Sequence, residues 1–559
     1  MLDIVLNYVS WLTIVLGGLA LWLVYYFVNA INHERRIRNL GGHAAKRPTW
    51  TPYGKPPPVT LPLSSTLLTR VGADFVWEGI QYAKRDDNLA FWDDNFKKWG
   101  NPSNPYTFEA NGGGRRLIFT ADSENIKAIL ATQFNDYGKG KKFNEDWHDF
   151  LGNGIFSTDH QQWHDSRQLI RPLFIKDRVS DLKVFERHVS ALKQHLGGQG
   201  QFVDVKDLFF RYTLDAASDF LLGRSVGSLQ NPENSFATSF SEVLRIQSLI
   251  ARAGSLNFLI PRRAFRTHIA NLNSFVAPFI DEALSLSPAE LEKRTNPDGY
   301  TFLHALASYT RSRSMLRDQL VAILLAGRDT TACTLSWLFY ELSRHPSVVA
   351  ELRREIEEVV GLDRAPTYDD LKGMRYLQHT LNETLRLYPV VPFNVRVALK
   401  DTTLPRGGGP DGNSPVGIPK DTPIIYSTHY LHLIDSNYPP VSATFPDPLL
   451  FAPSRWNAWQ PRLWTYIPFN GGPRICIGQQ FALTEMGYTV VRLLQRFSRI
   501  EGRIGLEVGD QAGGEKQGFE KGISGVRENL VQRAGRRGMK MQSEIVMQPQ
   551  SAVEVAFYS

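Results

Sequence analysis

FNGGPRICIG, residues 469–478, places one cysteine in a glycine-rich turn, and a segment with helical periodicity begins directly after it. The unpaired N–H groups of a helix N-terminus favour a thiolate, and glycines let backbone N–H groups approach its sulfur closely. A lone cysteine in such a loop is more often a buried structural residue. Here the spacing is more specific, because fixed offsets separate Phe469, Gly472, Arg474, Cys476 and Gly478.

This segment resembles the haem-binding signature of the cytochrome P-450 family, Phe-x-x-Gly-x-Arg-x-Cys-x-Gly. The resemblance implies that Cys476 is the metal ligand, a proximal thiolate that holds the iron of haem b and pushes electron density onto it. It also implies that Arg474 pairs with a haem propionate, while Phe469 is placed to shield the sulfur. The class implied is a haem-thiolate monooxygenase, an oxidoreductase with the cytochrome P-450 fold.

Two further motifs occur in the order that the family requires. LNETLRLYP, residues 381–389, contains Glu383 and Arg386 at i and i+3, which alone would read as an exposed helix ion pair of little energetic value. The resemblance implies instead a buried pair, completed by Arg455 of FAPSRW, that supports the haem loop. Ser454 stands where the family often has glutamate, a departure that leaves the three charged residues intact.

Further donors to the haem propionates are implied by the same resemblance. WHDSR, residues 163–167, places Trp163 and Arg167 at i and i+4, on one face of a predicted helix. Arg396 follows the Glu383 helix. A buried dianion needs paired donors, so Trp163, Arg167, Arg396 and Arg474 form a physically reasonable set.

LLAGRDTTACTL, residues 324–335, interrupts an apolar helical pattern with Gly327, which costs roughly 1 kcal/mol relative to alanine, and with poor helix formers. The interruption reads as a capped break between two helices, as a surface patch or as a functional site. AGRDTT resembles the distal-helix motif of the family, which implies that Asp329 and Thr330 are catalytic and manage water and protons during oxygen activation. Relatives that are isomerases or dehydratases often lose this acid–alcohol pair, so its presence favours monooxygenation. No role follows for Arg328.

The bulk composition and the cysteine and histidine patterns argue against several classes of protein. The net charge of +7 comes from interspersed charges, with 63 Lys and Arg against 56 Asp and Glu and no long basic run, so nucleic acid is not an expected partner. The two cysteines, Cys333 and Cys476, exclude a disulfide framework and indicate a reducing compartment. The histidine pairs 160/164 and 429/432 lack the His-Glu-x-x-His pattern of zinc hydrolases. A non-catalytic haem receptor is the remaining alternative.

The N-terminus indicates a membrane anchor. Residues 4–28 carry no charge and would span about 37 Å as a helix, more than a bilayer core of roughly 30 Å. A signal peptide would carry positive charge before the apolar run, but here the basic residues follow it. We therefore expect a single-pass anchor over residues 1–32, a basic and proline-rich linker over 33–62, and a haem domain over 63–559 that faces the cytosol at the endoplasmic reticulum membrane.

Local patterns predict a mainly α fold with small β sheets. Helical periodicity covers residues 122–131, 160–174, 184–196, 236–251, 314–344, 347–360, 369–388 and 479–495, and short strand patterns cover 116–119, 423–426, 544–547 and 552–557. Residues 405–415 read as a tight hairpin loop, because no helix follows to form a phosphate cradle. Residues 509–539 read as a solvated insertion.

No flavin or dinucleotide module accompanies the haem domain, so the resemblance implies electrons from NADPH through a separate membrane-bound NADPH–cytochrome P-450 reductase. The sequence is similar to the fungal branch that hydroxylates n-alkanes and fatty acids near the terminal carbon. That branch also contains tailoring enzymes of secondary metabolism. The implied pocket walls are apolar and fit a lipophilic substrate; they are residues 134–156, 236–258, Leu325, Ala326, Val391, Phe393 and Met547. Leu433 and the 509–539 insertion depart from the alkane hydroxylase pattern.

Overall fold

A computed structural model describes residue 13, residues 16–18, 20–21, 24–25, 28, 31–32, 35–40, 73–112, 115–174, 182–197, 199–294, 301–503 and 539–559. Among these, no helix has both the length and the apolar character needed to cross a bilayer. Much of the predicted anchor, the proline-rich segment 51–62 and all but the last residue of the 509–539 insertion lie outside the described residues. Ile37 is buried and Arg36 pairs with Asp401, so the segment after the apolar run contacts the haem domain.

The described chain from residue 73 onwards is mainly helical. Its α-helices are α1 Ala73–Lys84, α2 Asn88–Trp99, α3 Ser123–Lys127, α4 Lys141–Leu151, α5 His160–Ile170, α6 Lys183–His195, α7 Val205–Leu222, α8 Ser235–Ala253, α9 Arg263–Ser285, α10 Pro288–Arg294, α11 Phe302–Tyr309, α12 Arg313–Leu342, α13 Pro346–Val359, α14 Tyr368–Gly373, α15 Arg375–Leu387, α16 Thr428–His432 and α17 Gln479–Arg496.

The strands are short, and they form small sheets. They are β1 Thr107–Gly112, β2 Arg115–Thr120, β3 Tyr137–Gly138, β4 Phe202–Asp204, β5 Phe393–Ala398, β6 Thr402–Gly408, β7 Ser414–Ile418, β8 Pro423–Ser427, β9 Arg499–Gly502, β10 Met541–Ser543, β11 Met547–Pro549 and β12 Glu554–Tyr558. One sheet has the order β1-β2-β8-β5-β3, with β2 and β8 parallel; a second has the order β4-β12-β9. The pairs β6–β7 and β10–β11 are separate hairpins.

The central helix is α12, which packs along α7 and contacts α15 and α17. Its buried residues lie on all of its faces, as expected for a helix that other helices surround. The helix runs through Gly327, Asp329 and Thr330 without interruption, so the alternative of a capped break is wrong. Arg328, Asp329 and Thr331 are buried and Thr330 is half-buried, so the segment is not a surface patch.

Several boundaries differ from the sequence patterns. The predicted helix over 369–388 is two helices, because Met374 is extended and the Glu355 carboxylate of α13 accepts the N–H groups of Tyr376 and Leu377 at 2.7 and 2.8 Å. Of the strand predicted over 544–547, residues 544–546 form the turn of the β10–β11 hairpin, with the Glu544 N–H bonded to the Val546 carbonyl, and Met547 begins β11. The helix over 122–131 changes from α to π geometry at residue 128. The hairpin loop predicted at 405–415 is confirmed.

Candidate active site

The loop that carries Cys476 has a tightly constrained shape. A 3-10 turn, Gly472–Arg474, precedes the cysteine, and the Cys476 N–H donates to the Phe469 carbonyl at 2.9 Å. Gly472 has φ of 65°, and a Cβ there would lie 1.9 Å from the Leu130 carbonyl oxygen, so only glycine fits. The Tyr426 hydroxyl donates to the Asn470 side chain at 2.9 Å. Backbone geometry thus fixes where the Cys476 sulfur points.

The Cys476 side chain is accessible to solvent although protein atoms surround its thiol, so it lies in a recess. Burial raises the pKa of its thiol, while the Gly478 backbone N–H and the Arg167 guanidinium lower it. A backbone N–H group and a nearby cation are features that favour a thiolate. The side chain of Phe469 is half-buried and packs against the main core.

A cluster of buried cations lies beside this loop. Burial, and then Arg396, lower the pKa of Arg474 to about 10, despite an ion pair with Asp159 at 2.6 Å. Burial also lowers the pKa of Lys139 well below its ordinary value, with further lowering from Arg396 and Arg474. The cluster therefore places two guanidiniums and the Lys139 amine against the single negative charge of Asp159.

The aromatic ring of Trp163 joins this cluster to the cysteine. The Arg474 guanidinium lies 4.7 Å from the ring centroid, and that of Arg167 lies 5.8 Å from it. Arg167 in turn acts electrostatically on Cys476. The structure therefore brings together the predicted residues Trp163, Arg167, Arg474 and Cys476, with Arg396 close to Arg474.

These donors fit haem b. The Nε atom of Arg474 is buried without a hydrogen-bond partner, and the excess of buried positive charge calls for anions of the kind that two propionates supply. The thiol is the ligand that a haem-thiolate iron requires. Trp163, Arg167, Arg396 and Arg474 would hold the propionates, and Cys476 would hold the iron.

The acid–alcohol pair lies in the middle of α12. Asp329 is buried, its Oδ1 lacks a hydrogen-bond partner, and burial raises its pKa to about 6. The Thr330 hydroxyl donates to the Ala326 carbonyl at 2.6 Å. At Gly327 a Cβ would make ordinary contact with Ala217 at 3.5 Å, so packing against α7 does not require the glycine.

Helix α17, which follows Cys476, packs against α12. At their contact, Thr331 forms a hydrogen bond with Glu485, whose pKa burial raises to about 8. The cysteine loop and the acid–alcohol pair are therefore connected through one buried helix–helix contact.

The charged triad implied by the resemblance is buried and fully paired. Glu383 accepts from Arg386 at 2.8 Å through both oxygens and from Arg455 at 3.1 Å, and it also accepts the Ala452 N–H and the Trp456 indole N–H. Burial raises the pKa of Glu383, but the two guanidiniums more than offset it. Arg455 donates to carbonyls of the preceding segment, at Pro446, Asp447 and Leu450. The triad thus fixes residues 446–456 against α15.

His432 connects the triad region to the cysteine loop, a role that the sequence did not indicate. Its Nε2 accepts the Ile467 N–H at 2.9 Å, two residues before Phe469. Burial and the Arg386 charge lower its pKa to about 3, so the ring is neutral and able to accept. Among the described residues, no group of three or more His, Cys, Asp or Glu side chains is arranged to hold a metal ion.

A cysteine loop before a helix, a buried cation cluster and an acid–alcohol pair with a buried acid on the central helix define a haem-thiolate oxygenase. A model of the cytochrome P450 family matches residues 71–502. The chain is 46% identical over 501 residues to cytochrome P450 monooxygenase pvhE of Talaromyces variabilis, covering 87% of this chain and 89% of that protein. It is 42% identical to cytochrome P450 52A13 of Debaryomyces hansenii, covering 71% and 78%.

Among solved structures, the cytochrome P450DA heme domain matches with a TM-score of 0.65, covering 93% of this chain and 98% of that chain at 20% identity. At that identity the match concerns the fold alone. The family-model match and the identity to the P450 relatives show that the protein belongs to the cytochrome P450 family and is a cytochrome P450 monooxygenase.

Replacing Arg474 with glutamine should weaken haem binding by at least about tenfold, because a charge-assisted hydrogen bond to a buried anion contributes about 1.5–3 kcal/mol. The measurement is an equilibrium titration of the apoprotein with haem. Arg462→Gln is the matched control, since Arg462 lies exposed in the segment leading to the same loop. Equal haem affinity in Arg474→Gln and wild type would contradict the assignment of Arg474.

Proposed function

We propose that the protein is a membrane-anchored haem-thiolate monooxygenase that uses O2 and electrons from NADPH to hydroxylate an aliphatic chain, an n-alkane or a fatty acid, at or near its terminal carbon. A separate NADPH–cytochrome P-450 reductase supplies the electrons. The observation that carries the proposal is the intact acid–alcohol pair in an unbroken α12, with Asp329 buried and Thr330 half-buried.

When bound, haem would supply the redox and oxygen-activating chemistry of this class. The protein's own residues hold the group and manage protons. A carboxyl with a pKa of about 6, as for Asp329, both binds and releases protons near neutral pH. The Thr330 hydroxyl donates its hydrogen to the Ala326 carbonyl, so its oxygen remains available to accept a hydrogen bond from a water or another donor in the proton path.

A lipophilic substrate agrees with the apolar walls implied by the resemblance. Leu325 is buried on α12, and Met547 is buried at the β10–β11 hairpin, where its N–H donates to the Val390 carbonyl at 2.8 Å. Val391 and Phe393 are half-buried on the segment that leads into β5. Apolar walls bind an alkyl chain through burial of its surface.

A tailoring monooxygenase that acts on a polyketide or another lipophilic intermediate of fungal secondary metabolism is the second candidate. The identity to pvhE is higher than the identity to cytochrome P450 52A13, and it extends over more of both chains. Incubation with reductase, NADPH and a series of n-alkanes and fatty acids separates the two. Terminal or near-terminal hydroxylation supports the alkane or fatty-acid role, whereas no product from any of them supports the tailoring role.

The proposed location is the endoplasmic reticulum membrane, with the haem domain facing the cytosol. The uncharged run over residues 4–28 and the basic residues after it support this orientation. Protease treatment of sealed microsomes tests it: the haem domain should be digested without detergent, and resistance would place it in the lumen.

Thr330→Ala should retain haem and consume NADPH, but it should release peroxide and lower the yield of product per NADPH by about tenfold or more, in the range of one lost proton-transfer group. Thr334→Ala is the matched control, because Thr334 lies one turn further on and makes the same type of bond, to the Thr330 carbonyl at 2.8 Å. Normal coupling in Thr330→Ala would exclude the proposed role. Product formation that requires neither O2 nor NADPH would instead indicate the remote alternative of a non-oxygenating isomerase or dehydratase.

A further inference from the structure

Arg328 is a buried cation in the middle of α12, directly before Asp329. Only 7% of its surface is exposed. One guanidinium nitrogen donates to the Ser241 hydroxyl of α8 at 2.9 Å, and the guanidinium lies 5.2 and 5.3 Å from the ring centroids of Phe210 and Phe240. Because burial of an unpaired charge is costly, this arrangement requires a compensating anion.

The compensating anion is Asp329. An Arg328 guanidinium nitrogen lies 3.3 Å from Asp329 Oδ1, in ion-pair contact without hydrogen-bond geometry. The Nε atom of Arg328 is buried and has no hydrogen-bond partner. The pair is therefore held by charge and by the cage of Phe210, Phe240 and Ser241, which leaves the carboxylate oxygen free to exchange a proton.

Opposing influences act on the Asp329 carboxyl. Burial raises its pKa, the Arg328 charge lowers it, and Glu544 in the turn of the β10–β11 hairpin raises it. Cys333, one turn further along α12, is a thiol whose pKa burial raises well above its ordinary value, so it is neutral. Arg328 is thus the charge that opposes full protonation of Asp329.

We propose that Arg328 is a positioning residue that keeps the Asp329 carboxyl able to take up and release a proton near neutral pH. A proton donor works best when its affinity for protons matches the working pH. Without the cation, the buried carboxyl would keep its proton to a higher pH and would be a weaker donor. Ser241 and the two phenylalanines hold the guanidinium in place, so they contribute indirectly. The inference rests on the proposed role of Asp329 in oxygen activation.

Infrared spectroscopy of the haem-loaded protein as a function of pH tests this directly, because a protonated carboxyl has its own absorption band. The Asp329 band is the one that disappears in Asp329→Asn. We expect Arg328→Gln to move its midpoint upward by about one pH unit or more, a tenfold change in proton affinity. Arg328→Lys, which keeps the charge, and Ser241→Ala should give smaller shifts in the same direction.

Two controls show whether a shift is specific to the Arg328–Asp329 pair. Arg245→Gln removes an exposed cation from α8 that pairs with Glu242, and it should leave the Asp329 midpoint unchanged. The band of Glu485, another buried acid whose pKa burial raises, should keep its midpoint in every variant. The inference is overturned if the Asp329 midpoint is unchanged in Arg328→Gln. If Arg328→Gln does not fold, an unchanged midpoint in both Arg328→Lys and Ser241→Ala overturns it. The infrared titration needs no substrate, so its result does not depend on the proposed monooxygenase function. A failure of that function would appear instead in the incubations with reductase, NADPH and substrate.

Discussion

Glu383→Gln is expected to destabilise the protein by about 3–5 kcal/mol, the usual cost of removing one partner from a buried ion pair. The substitution leaves the Arg386 and Arg455 guanidiniums without a counter-ion where both side chains are fully buried. Since whole domains are stable by only about 5–15 kcal/mol, a large part of the stability should be lost. Urea unfolding, with the haem content of the purified protein, measures the effect.

The matched control is Glu351→Gln, which removes the carboxylate from an exposed helix ion pair with Arg354. It should unfold at the same urea concentration as wild type. Wild-type stability in Glu383→Gln would contradict the structural role of the triad. The pH dependence has a definite sign: because the pKa of Glu383 lies below its ordinary value, its contribution is present at neutral pH and is lost as the pH falls into the acid range.

Cys476→Ala is expected to lower product formation by on the order of a thousandfold or more, as for loss of a group on which a whole reaction depends. Alanine cannot supply the sulfur ligand, although the backbone of the loop can keep its shape through the Gly472 turn and the Phe469 carbonyl. The measurement is product per haem under saturating reductase and NADPH.

Cys333→Ala is the control for this prediction, because Cys333 is the other cysteine of the chain. It is buried on α12 against Val390 and Val546, and burial raises the pKa of its thiol. Its replacement should leave product formation within about threefold of wild type, the range of a small change in packing. If Cys333→Ala abolished activity and Cys476→Ala did not, the ligand assignment would be wrong.

The cysteine loop and the triad could be predicted because their residues stand at fixed offsets within short segments that resemble motifs of the family; from the offsets alone, Glu383 and Arg386 indicate an exposed ion pair. Cys476 follows the turn that contains Gly472 and Arg474, and Glu383 and Arg386 share one helix face. Local sequence therefore contains most of their geometry. Arg455, which lies far from Glu383 in the chain, followed only from the family resemblance.

Long-range partners could not be predicted in the same way. Lys139 and Asp159 enter the cation cluster because the Asp159 carboxylate accepts two backbone N–H groups, of Lys139 and Gly140. His432 reaches the cysteine loop through one backbone hydrogen bond to Ile467. None of these residues stands in a recognisable motif, and the contacts depend on tertiary packing.

The role of Arg328 shows the same limit. From sequence it is one more charged residue in a polar segment, and only the packing of α7 and α8 around α12 makes it a buried partner of Asp329. Likewise, the break at Met374 arises because Glu355 from a different helix caps α15. Helical periodicity is continuous across that position and gives no sign of the break.

The difference spectrum of the reduced protein with carbon monoxide tests the central claim most directly. A cysteine thiolate bound to the haem iron predicts a band at about 450 nm, the band that gives the family its name, in wild type and in Cys333→Ala. The same band should be absent in Cys476→Ala. Absence of the band in the haem-loaded wild-type protein, or its persistence in Cys476→Ala, would contradict the assignment of Cys476 as the ligand.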